Sequence, residues 1–327
     1  MRILLIGGTL FIGKRLVRRL LHGGHEITLL HRKPEHPFGS EVRSVVANRN
    51  DAASVRRALE GMRFDAVYDI AYDWERGTTA QQVEATAKAI PGDISRYVFI
   101  SSVAAYGSGL DHIEDDPLAP DTHPESYVRN KSMSEGALFR MHRESGFPAV
   151  TMRPPFVYGP ENPFYREAFF WDRIRRERKV IVPGDGQRLM HFVYVDDLVA
   201  ACYSALENPN AVGLAFNVGN ERSVSQQELV NEFAKAAGKK ASVMHVPRAI
   251  IERNGGNVFG DPLYFGEYYD LHSITEIVDR MKRVLGVEPT PFASGLKETY
   301  KWYEESAPKR DPDFSFEDKL IRDAEAA

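Results

Sequence analysis

Residues 1–24 read MRILLIGGTLFIGKRLVRRLLHGG, and the fold follows from how this stretch is parsed. Residues 3–6 are apolar without interruption, as a strand covered on both faces requires. The run breaks at Gly7-Gly8, and Lys14, Arg15, Arg18 and Arg19 follow too soon for a secretory leader. Ile12, Leu16, Val17, Leu20 and Leu21 then recur at helical spacing with basic residues between them, until Gly23-Gly24 stops the pattern. The reading is strand, glycine turn, amphipathic helix.

Working outward, further strand-like runs lie at 26–30, 42–46, 66–70, 97–101 and 149–152, with helical stretches at 52–59, 79–89 and 127–144. Strands alternating with helices imply right-handed crossovers and a parallel sheet with helices on both faces. The first half is therefore an α/β, doubly wound domain. Beyond Pro154 the rhythm changes. An aromatic stretch at 164–171 precedes a basic run expected to be helical over 172–179, then a glycine turn at 184–186. Helices are expected at 196–207, 225–237 and 274–285, without regular strands between them. This pattern predicts a second, smaller α+β lobe made from discontinuous segments. The expected division is 1–160 plus 191–222 for the sheet domain, 161–190 plus 223–305 for the substrate lobe, and 306–327 for a peripheral C-terminal arm.

Composition narrows the function. Of 327 residues, 43% are hydrophobic and 27% charged, enough for a sizeable core. Lys and Arg total 42 against 46 Asp and Glu, a formal charge of -4 that gives no net attraction to nucleic acid or anionic lipid. No apolar stretch approaches the roughly 20 residues that span a bilayer. No nucleic-acid or membrane partner is expected. The single cysteine, Cys202, makes no internal disulfide and excludes cysteine-rich metal sites, which fits a reducing, cytoplasmic compartment. His112 with Asp111, and Glu114-Asp115-Asp116, read as a solvated acidic loop and not as a metal site, since no second ligand falls at helical spacing.

Three features carry chemistry. Gly7, Gly8, Thr9, Leu10, Phe11, Ile12 and Gly13 lie between the first strand and helix, where backbone N–H groups and the helix dipole hold a pyrophosphate. Leu10 stands where the Gly-x-x-Gly-x-x-Gly pattern has its middle glycine; the alternative is an ordinary glycine turn without a nucleotide. Tyr127 and Lys131 are four apart on a helix and share one face. Ser101-Ser102 end the strand RYVFI at the carboxyl edge of the sheet, where ligands bind in this architecture.

In this order and spacing, the set resembles the extended short-chain dehydrogenase/reductases, the NAD-dependent epimerase/dehydratase family. Further matching segments are DAVYDIAYD, RPPFVYGPENP, GDGQRLMHFVYVDD and FNVGNERSVSQQELV, and the resemblance spans roughly residues 1–305. It implies a Rossmann domain with Tyr127 as catalytic acid/base, Lys131 on the nicotinamide ribose and Ser102 on the reacting oxygen. Cofactor contacts would come from Gly7, Thr9, Leu10, Phe11, Ile12, Gly13, His31, Arg32, Asn48, Arg49, Ala71, Tyr72, Ser101 and Pro154, besides Tyr127 and Lys131. Val103, Phe156, Arg188 and Met190 would face a small-molecule substrate. His31-Arg32-Lys33 follow the second strand where NAD-preferring relatives place Asp, which favours NADP over NAD. A homodimer is compatible with the resemblance.

The chain also departs from the family. Where nucleotide-sugar members carry an Asn before Val-Tyr-Gly-Pro and an Arg before Asp-Phe, it has Phe156 and Met190, with His191 in place of the Asp. The basic run Arg173, Arg175, Arg176, Arg178 and Lys179 reads as a solvated helix face. Val103-Ala104 replace the Asp-Glu that dehydratases need. The expected activity is hydride transfer at a secondary alcohol or ketone of a sugar-like or partly apolar molecule, without dehydration. Two alternatives stand beside it: a nucleotide-sugar 4-epimerase with non-standard phosphate anchors, and an RNA-binding relative of the chloroplast stem-loop-binding proteins.

Overall fold

Five strands of one sheet and four α-helices lie within the first 145 residues of the computed structural model, which describes residues 1–327. The strands are β1 (Arg2–Ile6), β2 (Glu26–His31), β3 (Val42–Val46), β4 (Ala66–Asp69) and β5 (Arg96–Ile100). The helices are α1 (Phe11–His22), α2 (Ala52–Ala58), α3 (Ala80–Ala89) and α4 (Ser126–Ser145). Strands Ala149–Arg153 and Ala215–Asn217 complete a seven-stranded parallel sheet in which β1 lies between β4 and β2. The chain runs from β1 outward to β3, then returns to β4 on the other side of β1, so the order reverses between β1 and β4 and opens a ligand crevice there.

Helix starts follow local chemistry. Asp51 caps α2 by accepting from Ala53 N and Ser54 N at 3.0 and 3.1 Å, and Thr79 with Gln82 forms a reciprocal capping box on α3. α1 is different: Leu10 at its N-cap supplies no side-chain hydrogen bond and no acidic residue lies in its first turn.

The second half departs from expectation in two places. The helix expected over 172–179 is Glu167–Arg175 instead, and Lys179 opens a strand, Lys179–Pro183, paired with Ser242–Val246. Phe169, Phe170, Trp171 and Ile174 set this helix by burying its apolar side, whereas the charged run marks only its end. The helix expected over 274–285 is likewise split. β-branched Ile274 and Thr275 pair with residues 109–112 in a short strand, Ile274–Glu276, and only residues 279–285 are helical before Gly286 turns left-handed.

The basic run is a solvated face only in part: Arg175, Arg176 and Lys179 are exposed, whereas Arg173 is buried. Helix Ser315–Glu325 packs against it, with Glu317 accepting from Arg173 Nε at 2.6 Å, Asp318 meeting Arg178, and Glu325 meeting Lys179 at 2.8 Å. Arg173 is buried, and Leu320 of the same helix belongs to the 57-residue core that also contains Ile3 and Leu5. No helix is long and apolar enough to cross a membrane.

α4 is fixed to the sheet by one carboxylate. Glu135 accepts from Arg153 Nε and Nη2 at 3.0 and 2.8 Å, from Ser101 Oγ at 2.5 Å and from Thr151 Oγ1 at 3.0 Å, all in the interior. Removing one partner leaves the other charge buried and unpaired, which costs about 3–5 kcal/mol. Urea unfolding should therefore show Glu135→Ala losing about that much, and Asp318→Ala, whose ion pair is solvent-exposed, losing less than about 1 kcal/mol. Equal losses would contradict this assignment of the clamp.

Candidate active site

The glycine turn brings α1 close against the end of β1. A Cβ on Gly13 would stand 2.8 Å from Gly8 N and closer still to its Cα, so only glycine lets α1 approach the end of β1. Gly7 and Gly8 take φ of +89° and +129°, and Ala71 backs Gly7 closely enough that a Cβ there would meet it at 3.3 Å. The uncapped start of α1 thus opens its N–H groups into the crevice beside β4. That is the donor set a dinucleotide pyrophosphate requires, and the residues present fit one.

At the carboxyl edge of β5, Ser101 turns inward to Glu135, while the Ser102 hydroxyl accepts from Ala104 N at 3.1 Å and lies against the Tyr127 phenol. Burial pushes Tyr127 up to about 12, and the Ser102 hydrogen bond offsets part of that rise. Lys131, one turn along α4, is buried and donates to the Ile100 carbonyl at 2.7 Å. Its Nζ lies 5.2 Å from the Tyr72 ring centre and 5.7 Å from that of Tyr127. Desolvation pulls Lys131 down to about 8, with nearby Asp69 opposing the drop. A hydroxyl, a phenol and an ammonium thus meet at one point of the sheet edge.

The NAD dependent epimerase/dehydratase family model matches residues 3–219. The chain belongs to that family. Among its relatives is the chloroplast stem-loop binding protein of 41 kDa b from Arabidopsis thaliana, 27% identical over 98% of this chain and 84% of the other. The UDP-glucose 4-epimerase of Vibrio cholerae is 29% identical over 68% and 63% of the two chains. The dTDP-glucose 4,6-dehydratase of Bacillus anthracis, solved with NAD, shares the fold with a TM-score of 0.75 at 19% identity, covering 94% of this chain and 97% of that one.

Several residues that the family resemblance assigned to ligands have partners within the chain. The His31 ring nitrogen meets Ser44 Oγ at 2.5 Å on β3, and burial lowers its pKa. Arg32 is exposed and lies 3.5 Å from Asp73. Arg49 turns inward to a buried ion pair with Asp69, whose other contact is the Tyr97 hydroxyl at 2.8 Å. Exposed Asn48 spends its side-chain oxygen on Asn50 N at 3.0 Å. The Pro154 carbonyl accepts from Val103 N at 3.0 Å, which ties the strand after Ala149 to the segment following Ser102. Arg188, expected at the substrate, instead donates to the Asp270 carboxylate at 2.9 Å and to its carbonyl. Arg248, Tyr264 and Gln226 hold the same carboxylate. Met190 is buried in the ladder with Val224, while Phe156 stays half-buried, 5.1 Å from the Tyr269 ring.

Two side chains at the site were not singled out by any sequence pattern. Trp74 is 61% exposed, yet its indole stacks on the Tyr127 ring at 5.3 Å and 17° and meets Tyr72 edge-on at 5.2 Å. Its loop is held by Asp73, whose carboxylate accepts from Glu75 N and Arg76 N at 3.1 Å. Arg166 is buried among Phe156, Phe164, Tyr268 and Tyr269, beyond Phe164 from Trp74. The aromatic stretch around it was legible in the sequence, but the direction of the Arg166 side chain within it was not.

Lys131 makes a pH-dependent contribution to stability. Its folded value near 8 lies below its unfolded one, so between about pH 8 and 10.4 the unfolded chain binds more protons and stability rises with pH. The penalty is full below that window and is relieved across it. Compared with Lys131→Met, wild type should gain on the order of 3 kcal/mol between about pH 7 and about pH 10.5 in paired urea melts. A pH-independent difference would show that the ammonium is not desolvated.

Proposed function

We propose that the chain is an NAD(P)-dependent oxidoreductase that interconverts a secondary alcohol and a ketone on a small molecule, with Ser102, Tyr127 and Lys131 at the reacting oxygen. The observation that carries this reading is the convergence of those three groups beside a glycine turn that fits a dinucleotide. A nicotinamide dinucleotide bound there supplies the hydride donor or acceptor and, when oxidised, a positive charge near the phenol.

The chain's own groups handle the proton. Tyr127, held protonated by burial, donates to a forming alkoxide oxygen and takes the proton back in the reverse direction. Ser102 orients that oxygen through its hydroxyl. Lys131, anchored on the Ile100 carbonyl, places a cation against the phenol and favours its ionised form. Dehydration needs a carboxylate to remove an α-proton, and Ser102 is followed by Val103 and Ala104.

The stem-loop binding named for the Arabidopsis relative is the less favoured reading. RNA affinity of that kind rests on unpaired basic residues that release counterions. Here Lys14 and Arg18 share Glu161, and Arg173, Arg178 and Lys179 are met by the C-terminal helix. A nucleotide sugar is also disfavoured, because Phe156 and Met190 offer no charge to a diphosphate and Arg188 is held by Asp270.

Tyr127→Phe should lower turnover to about a hundredth of wild type or less, with dinucleotide affinity within about threefold. Retention of a tenth of the activity would remove the phenol from the mechanism. Cofactor choice turns on Arg32. Its ion pair with Asp73 is exposed and weak, so a ribose 2′-phosphate can recruit it, and NADP is the proposed cofactor. Arg32→Ala should weaken NADP about tenfold and leave NAD unchanged, measured at one salt concentration. A wild-type preference for NAD would overturn this choice.

A further inference from the structure

Arg166 is only 9% exposed, and no carboxylate lies within ion-pair distance of it. Its Nε donates to the Glu267 carbonyl at 3.1 Å, which fixes the guanidinium plane. Four rings surround the guanidinium, at 4.3 Å (Phe164), 5.3 Å (Phe156 and Tyr268) and 5.6 Å (Tyr269). Aromatic faces stabilise a cation without neutralising it, so the charge remains available. The two Nη atoms have no hydrogen-bond partner in the chain, and neither is sealed from solvent.

The position of this cation connects it to the reaction centre. Phe164 lies against Arg166 and meets Trp74 at 6.2 Å, and Trp74 in turn stacks on Tyr127. The guanidinium's charge is also felt at the Tyr127 phenol. Other arginines of the substrate lobe are committed: Arg188 and Arg248 to Asp270, and Arg173 to Glu317.

We propose that Arg166 is the anion-binding residue of the substrate pocket and that the substrate carries one oxyanion, a carboxylate or a phosphate monoester, on a body that packs between the rings. A planar fork with both Nη atoms free matches the two oxygens of such a group, and the anion supplies the counter-charge that the protein withholds. The aromatic walls then take the apolar part of the molecule, between Arg166 and the phenol. This assignment rests on Tyr127 marking the reaction centre, and it moves the pocket's cation from the expected Arg188, which is held by Asp270, to Arg166.

The test is calorimetric titration of the dinucleotide-loaded protein with benzoate, phenyl phosphate and neutral benzamide. Benzoate or phenyl phosphate should saturate the site with benzamide at least about tenfold weaker, the difference expected for one charge-assisted pair. Whichever anion binds more tightly separates carboxylate from phosphate. Arg166→Gln should abolish the discrimination, and Arg166→Lys should recover part of it, since charge remains while the fork is lost. Tyr127→Phe should keep it intact, which separates anion binding from the proton-transfer role. The proposal is overturned if no anion saturates, if benzamide binds as well as the anions, or if a folded Arg166→Gln protein retains the preference. It is also overturned if UDP binds more than about tenfold tighter than either small anion in an Arg166-dependent way. Failure of the dinucleotide to bind would defeat the oxidoreductase reading alone, because the same titrations on unloaded protein still report on Arg166.

Discussion

The grip of Arg153, Ser101 and Thr151 on Glu135 is the constraint from which the candidate site follows. Tyr127, Lys131 and Glu135 stand four residues apart, so fixing the last of them against the sheet fixes the rotation of α4 and with it the other two. The partners of Glu135 come from β5 and from the strand beside it, and Ser102 follows Ser101 directly. A single buried carboxylate thereby sets the distance from the phenol to the serine hydroxyl. Such a pair adds little stability over a well-packed apolar substitute, because desolvation offsets the Coulomb attraction. Its effect is geometric: hydrogen bonds to four groups allow α4 far fewer orientations than an apolar contact of equal area.

How much of this the sequence discloses depends on whether a feature is local. Strands β1 to β5 and helices α1 to α4 lie within a few residues of their expected bounds, because each has an uninterrupted apolar run or a clear helical period and is bounded by turn residues. The second lobe was read less well, since its helix Glu167–Arg175 is defined by aromatic burial while the eye is drawn to the arginines after it. The serine, tyrosine and lysine were legible because their spacing is itself the signal. Trp74 and Arg166 were not. A tryptophan in a polar loop and an arginine among aromatics acquire meaning only from the loops that turn them toward Tyr127, and those turns rest on Asp73 and on the Glu267 carbonyl, one residue and 101 residues away respectively.

Charge is distributed by the same logic of pairing. Asp270 collects Arg188, Arg248, Tyr264 and Gln226, a cluster that joins three separate segments of the lobe. Helix Ser315–Glu325 answers the basic run with Glu317, Asp318 and Glu325, and it covers Arg173 completely. A C-terminal segment that reads as a charged arm is therefore the counter-charge of an otherwise repulsive helix end. Two buried cations are left without a carboxylate: Lys131, which rests on the Ile100 carbonyl, and Arg166, which stands among rings.

The loop after β4 links the two ends of the crevice. Asp73 holds Arg32, which follows the end of β2, while its neighbour Trp74 covers Tyr127. The base of the loop is pinned by Gly77 N to the Asp73 carbonyl at 2.8 Å and by Asn50 Nδ2 to the Gly77 carbonyl at 3.1 Å, so the turn is braced as a unit. Its outer part is not: the indole is exposed, and the Arg32 contact is long and solvent-facing. A stacked ring pair contributes about 0.5–1.5 kcal/mol beyond its buried area. That is small enough for an entering ring or sugar to replace the indole over the phenol, and large enough to cover Tyr127 until one does. The braced base and weakly held tip thus place the exposed part of the loop directly against the Tyr127 ring.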